Sequence, residues 1–84
     1  MNNLIVVDVG RLRLIVDPEK CFYNMNLRDF KKMLRVAVSV MDSLDEKLEY
    51  LTKWNDFLES RKDLDRVRRK RLMELITDRR VKVI

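Results

Sequence analysis

Glycine and proline, the residues that most often interrupt regular structure, are almost missing from this chain. Gly10 is the single glycine and Pro18 the single proline, so residues 19–84 contain neither. With 46% hydrophobic and 39% charged residues, the 84-residue chain has the composition of a compact helical protein, not of a disordered one. Helix boundaries after Pro18 must therefore be found from capping residues and from shifts in the apolar stripe.

The segments on either side of Gly10 are rich in valine, isoleucine and leucine, which is typical of a β-hairpin. In the second segment, residues 12–16, apolar residues alternate so that one face can be buried and the other exposed. Val9 would be strained at a position with positive φ, so the type of turn stays open. The Asp17-Pro18 pair is expected to end the second strand.

Three amphipathic helices are predicted over residues 26–41, 43–59 and 61–80, each preceded by a capping signal. The capping residues are Asn26, Ser43 with Glu46, and Ser60 with Asp63. The three apolar stripes differ in phase, which favours separate helices, although one continuous helix from Ser43 to Arg80 remains an alternative.

The sequence thus predicts an α+β fold in one domain, 1–84, with a hairpin over residues 1–17 followed by three helices. Residues 81–84 are β-prone and could add a short third strand to the hairpin. A domain of this size with apolar stripes on several helices could also be a homodimer, and both oligomeric states stay open.

The net positive charge of the chain lies in its last part. Residues 61–84 contain ten Lys or Arg and four acids, whereas residues 1–60 contain nine and ten. Such a block indicates a surface for a negatively charged partner.

On the third predicted helix, basic residues recur at spacings that place them on one side of the helix. They are Lys62, Arg66, Arg69 and Arg80, with Lys70 close by, and Arg28 and Lys32 on the first helix could extend the surface. Lysine and arginine at such positions can neutralise phosphates, so we expect contact with a nucleic-acid backbone. Contact with an acidic protein surface and a solvated charged face with no ligand are the alternative interpretations. The basic block contains no aromatic residue, Asn or Gln, so sequence selectivity is expected to be poor.

Arg68 and Arg71 fall inside the apolar arc of the third helix, where unpaired charges would be costly. We expect carboxylates of the second helix to neutralise them, within one molecule or across a dimer. The available acids are Asp45, Glu46, Glu49, Asp56 and Glu59.

An aromatic cluster on the second helix supports an alternative function. Tyr50, Trp54 and Phe57 lie at helical spacing at the edge of an apolar stripe. Core packing is the simpler interpretation, but such a cluster could also anchor a partner protein. The alternative to nucleic-acid binding is therefore a homodimeric protein-interaction module, such as an adaptor, inhibitor or chaperone, that docks through these aromatics or by helix pairing.

Catalysis, metal binding and cofactor binding are not expected. Cys21 is the single cysteine and the chain has no histidine, so common zinc sites and an activated thiol cannot be assembled. The segment from Ile5 to Gly10 resembles the Asp-x-Gly end of the first strand in ribonuclease H-like and sugar-kinase-like folds, where the aspartate binds metal or phosphate. No later strand supplies a second carboxylate beside Asp8, so a hairpin turn over residues 8–10 is the preferred interpretation.

The cysteine content and the short uncharged runs indicate a cytoplasmic protein. A lone cysteine fits a reducing compartment. The longest uncharged runs, residues 1–7 and 36–41, are too short to cross a bilayer. We therefore expect a small, cytoplasmic, non-catalytic binding protein with no membrane partner.

Overall fold

A computed structural model describes residues 4–84 and has an antiparallel β-hairpin followed by four helices, which confirms the α+β prediction. The strands are β1, Ile5–Val9, and β2, Leu12–Val16; the helices are α1, Pro18–Asn24, α2, Leu27–Ser39, α3, Leu44–Ser60, and α4, Arg66–Val83. No helix in this part of the chain combines the length and the apolar character that a membrane crossing requires.

The hairpin turn consists of Gly10 and Arg11, one step later than predicted. Val9 pairs with Leu12, so Asp8 and Val9 belong to β1. Gly10 has φ 61°, and no other described residue has a positive φ. A glycine with positive φ at the first central position, followed by an ordinary residue, is the pattern of a type II′ turn. Val9 is consequently free of the strain that an Asp8-Val9-Gly10 turn would impose.

Helix α1 was not predicted. The Asp17-Pro18 pair was expected only to end the second strand. The Asp17 side chain accepts a hydrogen bond from the Lys20 backbone N–H at 3.3 Å, and Pro18 occupies the first turn. Both features favour a helix start. Because α1 has only 7 residues and places a single large apolar side chain, Phe22, in the core, it leaves no periodic signal.

The predicted starts of α2 and α3 are confirmed by their caps. Asn26 accepts from the Asp29 backbone N–H at 2.8 Å. Ser43 and Glu46 form a reciprocal capping box, and the Ser43 backbone N–H holds the pKa of Glu46 below its ordinary value. Helix α2 ends at Ser39, two residues before the predicted end.

The predicted start and end of the last helix were both wrong. Helix α3 runs through Ser60, and Asp65, not Ser60, caps α4 by accepting from the Arg68 backbone N–H at 2.8 Å. Residues 61–65 separate the two helices, so the continuous helix does not form. The C-terminal strand is absent because α4 continues to Val83, supported by a 3.1 Å ion pair between Lys82 and Asp78 one turn apart.

The hydrophobic core lies where α2, α3, α4 and the inner face of the hairpin meet. Its buried side chains include Ile5, Val7, Phe22, Phe30, Leu34, Leu51, Leu58, Leu72 and Ile76. Trp54 lies among them, edge-on to Phe30 with ring centroids 4.9 Å apart. Val67, predicted to face inward, is 67% exposed. Its position is about 140° around α4 from the buried Leu72, and Leu64 lies before the helix, so these two residues do not mark the buried side of α4.

Candidate functional site

A groove of about 660 Å³ runs between α3 and α4. It is lined by Asn55 and Glu59 of α3 and by Arg66, Arg69, Lys70, Met73, Glu74, Thr77 and Arg80 of α4. The residues from α4 are three or four positions apart, which places them on one side of the helix. Four of the five cations predicted on the last helix therefore lie in one concavity, and the fifth, Lys62, is exposed in the loop before α4.

The four cations of the groove are not neutralised by acids. Within residues 4–84, none of Arg66, Arg69, Lys70 and Arg80 takes part in an ion pair. Two carboxylates, Glu59 and Glu74, also line the groove, so cations outnumber acids by four to two. The groove is thus a concave surface with excess positive charge.

Two of these arginines are held in place by neutral acceptors. Arg69 donates from Nη1 to the Arg61 carbonyl at 3.0 Å, and Arg80 donates from Nη2 to Thr52 Oγ1 at 2.8 Å. The Arg80 Nε is buried and has no hydrogen-bond partner in the described part of the chain. These contacts fix the guanidinium groups without cancelling their charge, whereas Arg66 and Lys70 are exposed.

The basic surface continues around α4 beyond the groove. A second depression of about 600 Å³ shares Arg66, Lys70 and Glu74 with the groove and adds Val67 and Arg71. Arg71 is exposed, which contradicts its predicted place in the apolar arc. Arg71 was not predicted as a surface cation, because Leu64 and Val67 were taken to mark the buried side of the helix, whereas Leu64 precedes α4 and Val67 is exposed.

Arg28 and Lys32 do not join this surface. They line a separate depression of about 540 Å³ on α2, together with Asp29, Lys31 and Arg35. That depression shares no lining residue with the groove. The predicted basic surface therefore divides into two clusters on different helices.

Arg68 is satisfied by main-chain oxygens and not by carboxylates of α3, as was predicted. It donates from Nε to the Phe22 carbonyl at 2.7 Å and from Nη2 to the Met25 carbonyl. Its guanidinium carbon lies 5.3 Å from the centroid of the Phe22 ring. The C-terminal carbonyls of a helix attract cations, so Arg68 joins α4 to the end of α1. No ion pair links α3 to α4 in residues 4–84.

Arg61, unlike the groove cations, is neutralised by acids. Its Nη2 lies 2.9 Å from both Glu19 Oε1 and Asp63 Oδ2. Hydrogen bonding from Arg61 lowers the pKa of Asp63 to about 2. Arg61 therefore has a structural role, joining the loop over residues 61–65 to α1.

The aromatic cluster cannot serve as a docking anchor in this structure. Tyr50 and Trp54 are fully buried and Phe57 is 7% exposed, so all three are core residues. Burial raises the pKa of Tyr50 to about 12. A partner protein would have to unfold the core to reach these rings, and this version of the interaction module is contradicted.

The remaining chemistry-bearing groups do not form a site. Cys21 is half-buried, and desolvation raises the pKa of its thiol, which disfavours the reactive thiolate. Over residues 4–84, no group of three or more His, Cys, Asp or Glu side chains could hold a metal ion. Asp8 is paired instead with Arg13 at 2.9 Å on the exposed face of the hairpin.

Comparisons with known proteins give no family for this chain. No protein-family model, no curated protein and no solved structure matches it.

Proposed function

We propose that this protein is a non-catalytic binding protein that holds an anionic partner, a nucleic-acid backbone, in the groove between α3 and α4. The observation that supports the proposal is the convergence of Arg66, Arg69, Lys70 and Arg80 in one concavity without ion pairs in the described residues. The four cations outnumber the two carboxylates of the groove and repel one another, so an external anion lowers the free energy of the surface.

A phosphate backbone suits this groove better than a single small anion. The cations lie along α4 from Arg66 to Arg80, 14 residues apart, which is about 21 Å of helix. A row of phosphates can contact cations over that length, and the guanidinium fork suits their oxygens. The lining contains no aromatic ring on which a base could stack. We therefore expect binding that depends on the backbone and discriminates poorly between sequences.

Two charge-matched double variants test the site. Arg66→Gln with Lys70→Gln removes one arginine and one lysine from the groove, and Arg28→Gln with Lys32→Gln removes the same pair from α2. Both pairs are exposed and four residues apart on a helix. The measurement is fluorescence anisotropy of labelled single-stranded RNA, single-stranded DNA and duplex DNA over a range of salt concentrations.

The groove variant should bind at least about tenfold more weakly, with the slope of log affinity against log salt reduced by about 2. The α2 variant should keep most of the affinity. Equal losses in both variants would show that net charge, not the groove, is responsible. Binding that does not respond to salt, or an acidic polypeptide that binds more tightly than any nucleic acid, would contradict the nucleic-acid proposal.

A further inference from the structure

The two edges of the hairpin differ in how their backbone groups are satisfied. Strand β1 packs against α3, and the Lys53 ammonium donates to the Val6 carbonyl at 2.6 Å. Strand β2 has no such cover. Within residues 4–84, no hydrogen bond reaches its backbone from outside the hairpin. The β1 edge is therefore partly covered by α3, and the β2 edge is open.

The turn determines which groups of β2 point outward. In a two-residue hairpin the flanking residues, here Val9 and Leu12, form a hydrogen-bonded pair, and such pairs alternate along the ladder. Leu12, Leu14 and Val16 therefore bond to β1. The N–H and C=O groups of Arg13 and Ile15 point away from it, which leaves four backbone groups for another strand.

The side chains of β2 also favour a partner strand. Ile15, a strong strand former, is 57% exposed, and the apolar Leu12 is 75% exposed. A charged side chain usually protects an open edge, but Arg13 is already paired with Asp8 at 2.9 Å. An isolated two-stranded sheet is marginal by itself, so additional strands would stabilise it.

We propose that β2 is a homodimer seam, at which two copies of this chain pair their β2 strands antiparallel to make one four-stranded sheet. The two-fold axis passes beside Leu14, which faces Leu14 of the second copy. Arg13 then lies opposite Ile15 in a hydrogen-bonded pair, and the two such pairs together use all four free backbone groups. Arg11 lies opposite Asp17, so the segment is complementary in charge to itself.

Neighbouring registers satisfy the strand less well. A two-fold axis at Arg13 would place two arginines directly opposite each other, which is destabilising. An axis at Ile15 would require the Asp17 carbonyl in the ladder, but that oxygen already accepts from the Cys21 N–H at 3.2 Å as part of α1. The register centred on Leu14 avoids both problems.

Analytical ultracentrifugation of the full chain, from micromolar to submillimolar concentrations, tests the seam. Ile15→Lys would place a lysine opposite Arg13 of the second copy, and it should weaken dimerisation at least about tenfold. Val40→Lys is the matched control, because Val40 is 58% exposed at the end of α2 and the substitution adds the same charge. Circular dichroism checks that both variants are folded.

A cysteine pair tests the register in a Cys21→Ser background. Leu14→Cys should form a disulfide-linked dimer under mild oxidation, because the two introduced thiols would be directly opposite each other in a non-hydrogen-bonded pair. Leu12→Cys is more exposed but lies opposite Val16, so it should cross-link much less.

Three outcomes would overturn the proposal. The first is a chain that stays monomeric at all concentrations, which would leave the edge to a different peptide or to solvent. The second is a dimer that Ile15→Lys and Val40→Lys affect equally. The third is cross-linking that is stronger at residue 12 than at residue 14, which would follow exposure and not the predicted register.

Discussion

Arginine side chains in this protein have three different environments. Arg61 is paired with carboxylates of Glu19 and Asp63, Arg68 donates to main-chain carbonyls, and Arg66 is exposed at the groove. The sequence does not distinguish these environments, because all three residues lie in the same basic block. What separates them is which part of the chain the fold places beside each guanidinium.

Arg68 is expected to stabilise the fold. Arg68→Ala should lower the free energy of unfolding by about 1–3 kcal/mol, because the carbonyls of Phe22 and Met25 lose a charged donor. Chemical denaturation measures the change. Arg71→Ala is the control, since Arg71 is exposed on the same helix and should stay within about 0.5 kcal/mol of the parent. Equal effects of the two substitutions would contradict this role.

Asp63 should make stability depend on acid pH. Its folded-state pKa is about 2, below the value near 3.9 that is usual for an unfolded chain. The ion pair with Arg61 therefore contributes stability that is complete above about pH 4 and is lost as the pH falls through about 2.

The measurement is thermal unfolding of Asp63→Asn and the parent between neutral pH and pH 2. The variant should melt at a lower temperature at neutral pH, and the difference should shrink toward the acid end. Asp56→Asn, which removes an exposed carboxylate without an ion pair in residues 4–84, should show a smaller difference at neutral pH. A constant difference at every pH for Asp63→Asn would argue against the pairing.

The starts of the helices were predictable where a capping residue bonds within its own helix. Asn26 and the Ser43–Glu46 box each bond to their own helix, so the sequence contains the whole signal. Ser60 and Asp63 have the same spacing, but Asp65 provides the cap of α4 and Asp63 pairs with Arg61 instead. Which of the two aspartates caps α4 and which pairs with Arg61 depends on the packing around residues 61–65. The local sequence does not specify that packing.

The hairpin turn should depend on Gly10. Its φ of 61° is costly for a residue with a Cβ, so Gly10→Ala should destabilise the protein by about 1–2 kcal/mol. No atom lies within 4 Å of the position a Cβ would occupy, so the cost is conformational and not steric. Gly10→Asn should cost less, because asparagine tolerates positive φ better. Urea denaturation of both variants measures the difference, and an alanine variant as stable as the asparagine variant would contradict the turn assignment.

At the scale of the whole molecule, the cationic surface was predictable in part. The basic block was predictable from composition, and so was the presence of cations on one side of the last helix. The concavity was not predictable, because it exists only where α3 lies beside α4 with Asn55 and Glu59 facing Arg66 and Arg80. The division between the α4 groove and the α2 cluster likewise depends on how the helices pack, not on the spacing of residues along either one.

Trp54 is the residue on which the whole fold should depend most. Its ring is fully buried and edge-on to Phe30 and Phe57, with centroids 4.9 Å and 6.2 Å away. Trp54→Ala should cost about 3–5 kcal/mol, because it leaves a large cavity at the meeting point of α2 and α3. A small domain has a total stability of about 5–15 kcal/mol, so the variant should be partly or fully unfolded at ordinary temperature.

Near-ultraviolet circular dichroism and denaturant unfolding would measure this loss. Tyr23→Ala is the control, since Tyr23 is an aromatic residue that is 65% exposed, and it should change stability by less than about 1 kcal/mol. A Trp54→Ala protein with native stability would mean that the ring is not a core residue, and would restore the aromatic docking surface that the burial of Trp54 contradicts. Loss of structure in Trp54→Ala but not in Tyr23→Ala would instead confirm that the Trp54 ring belongs to the core.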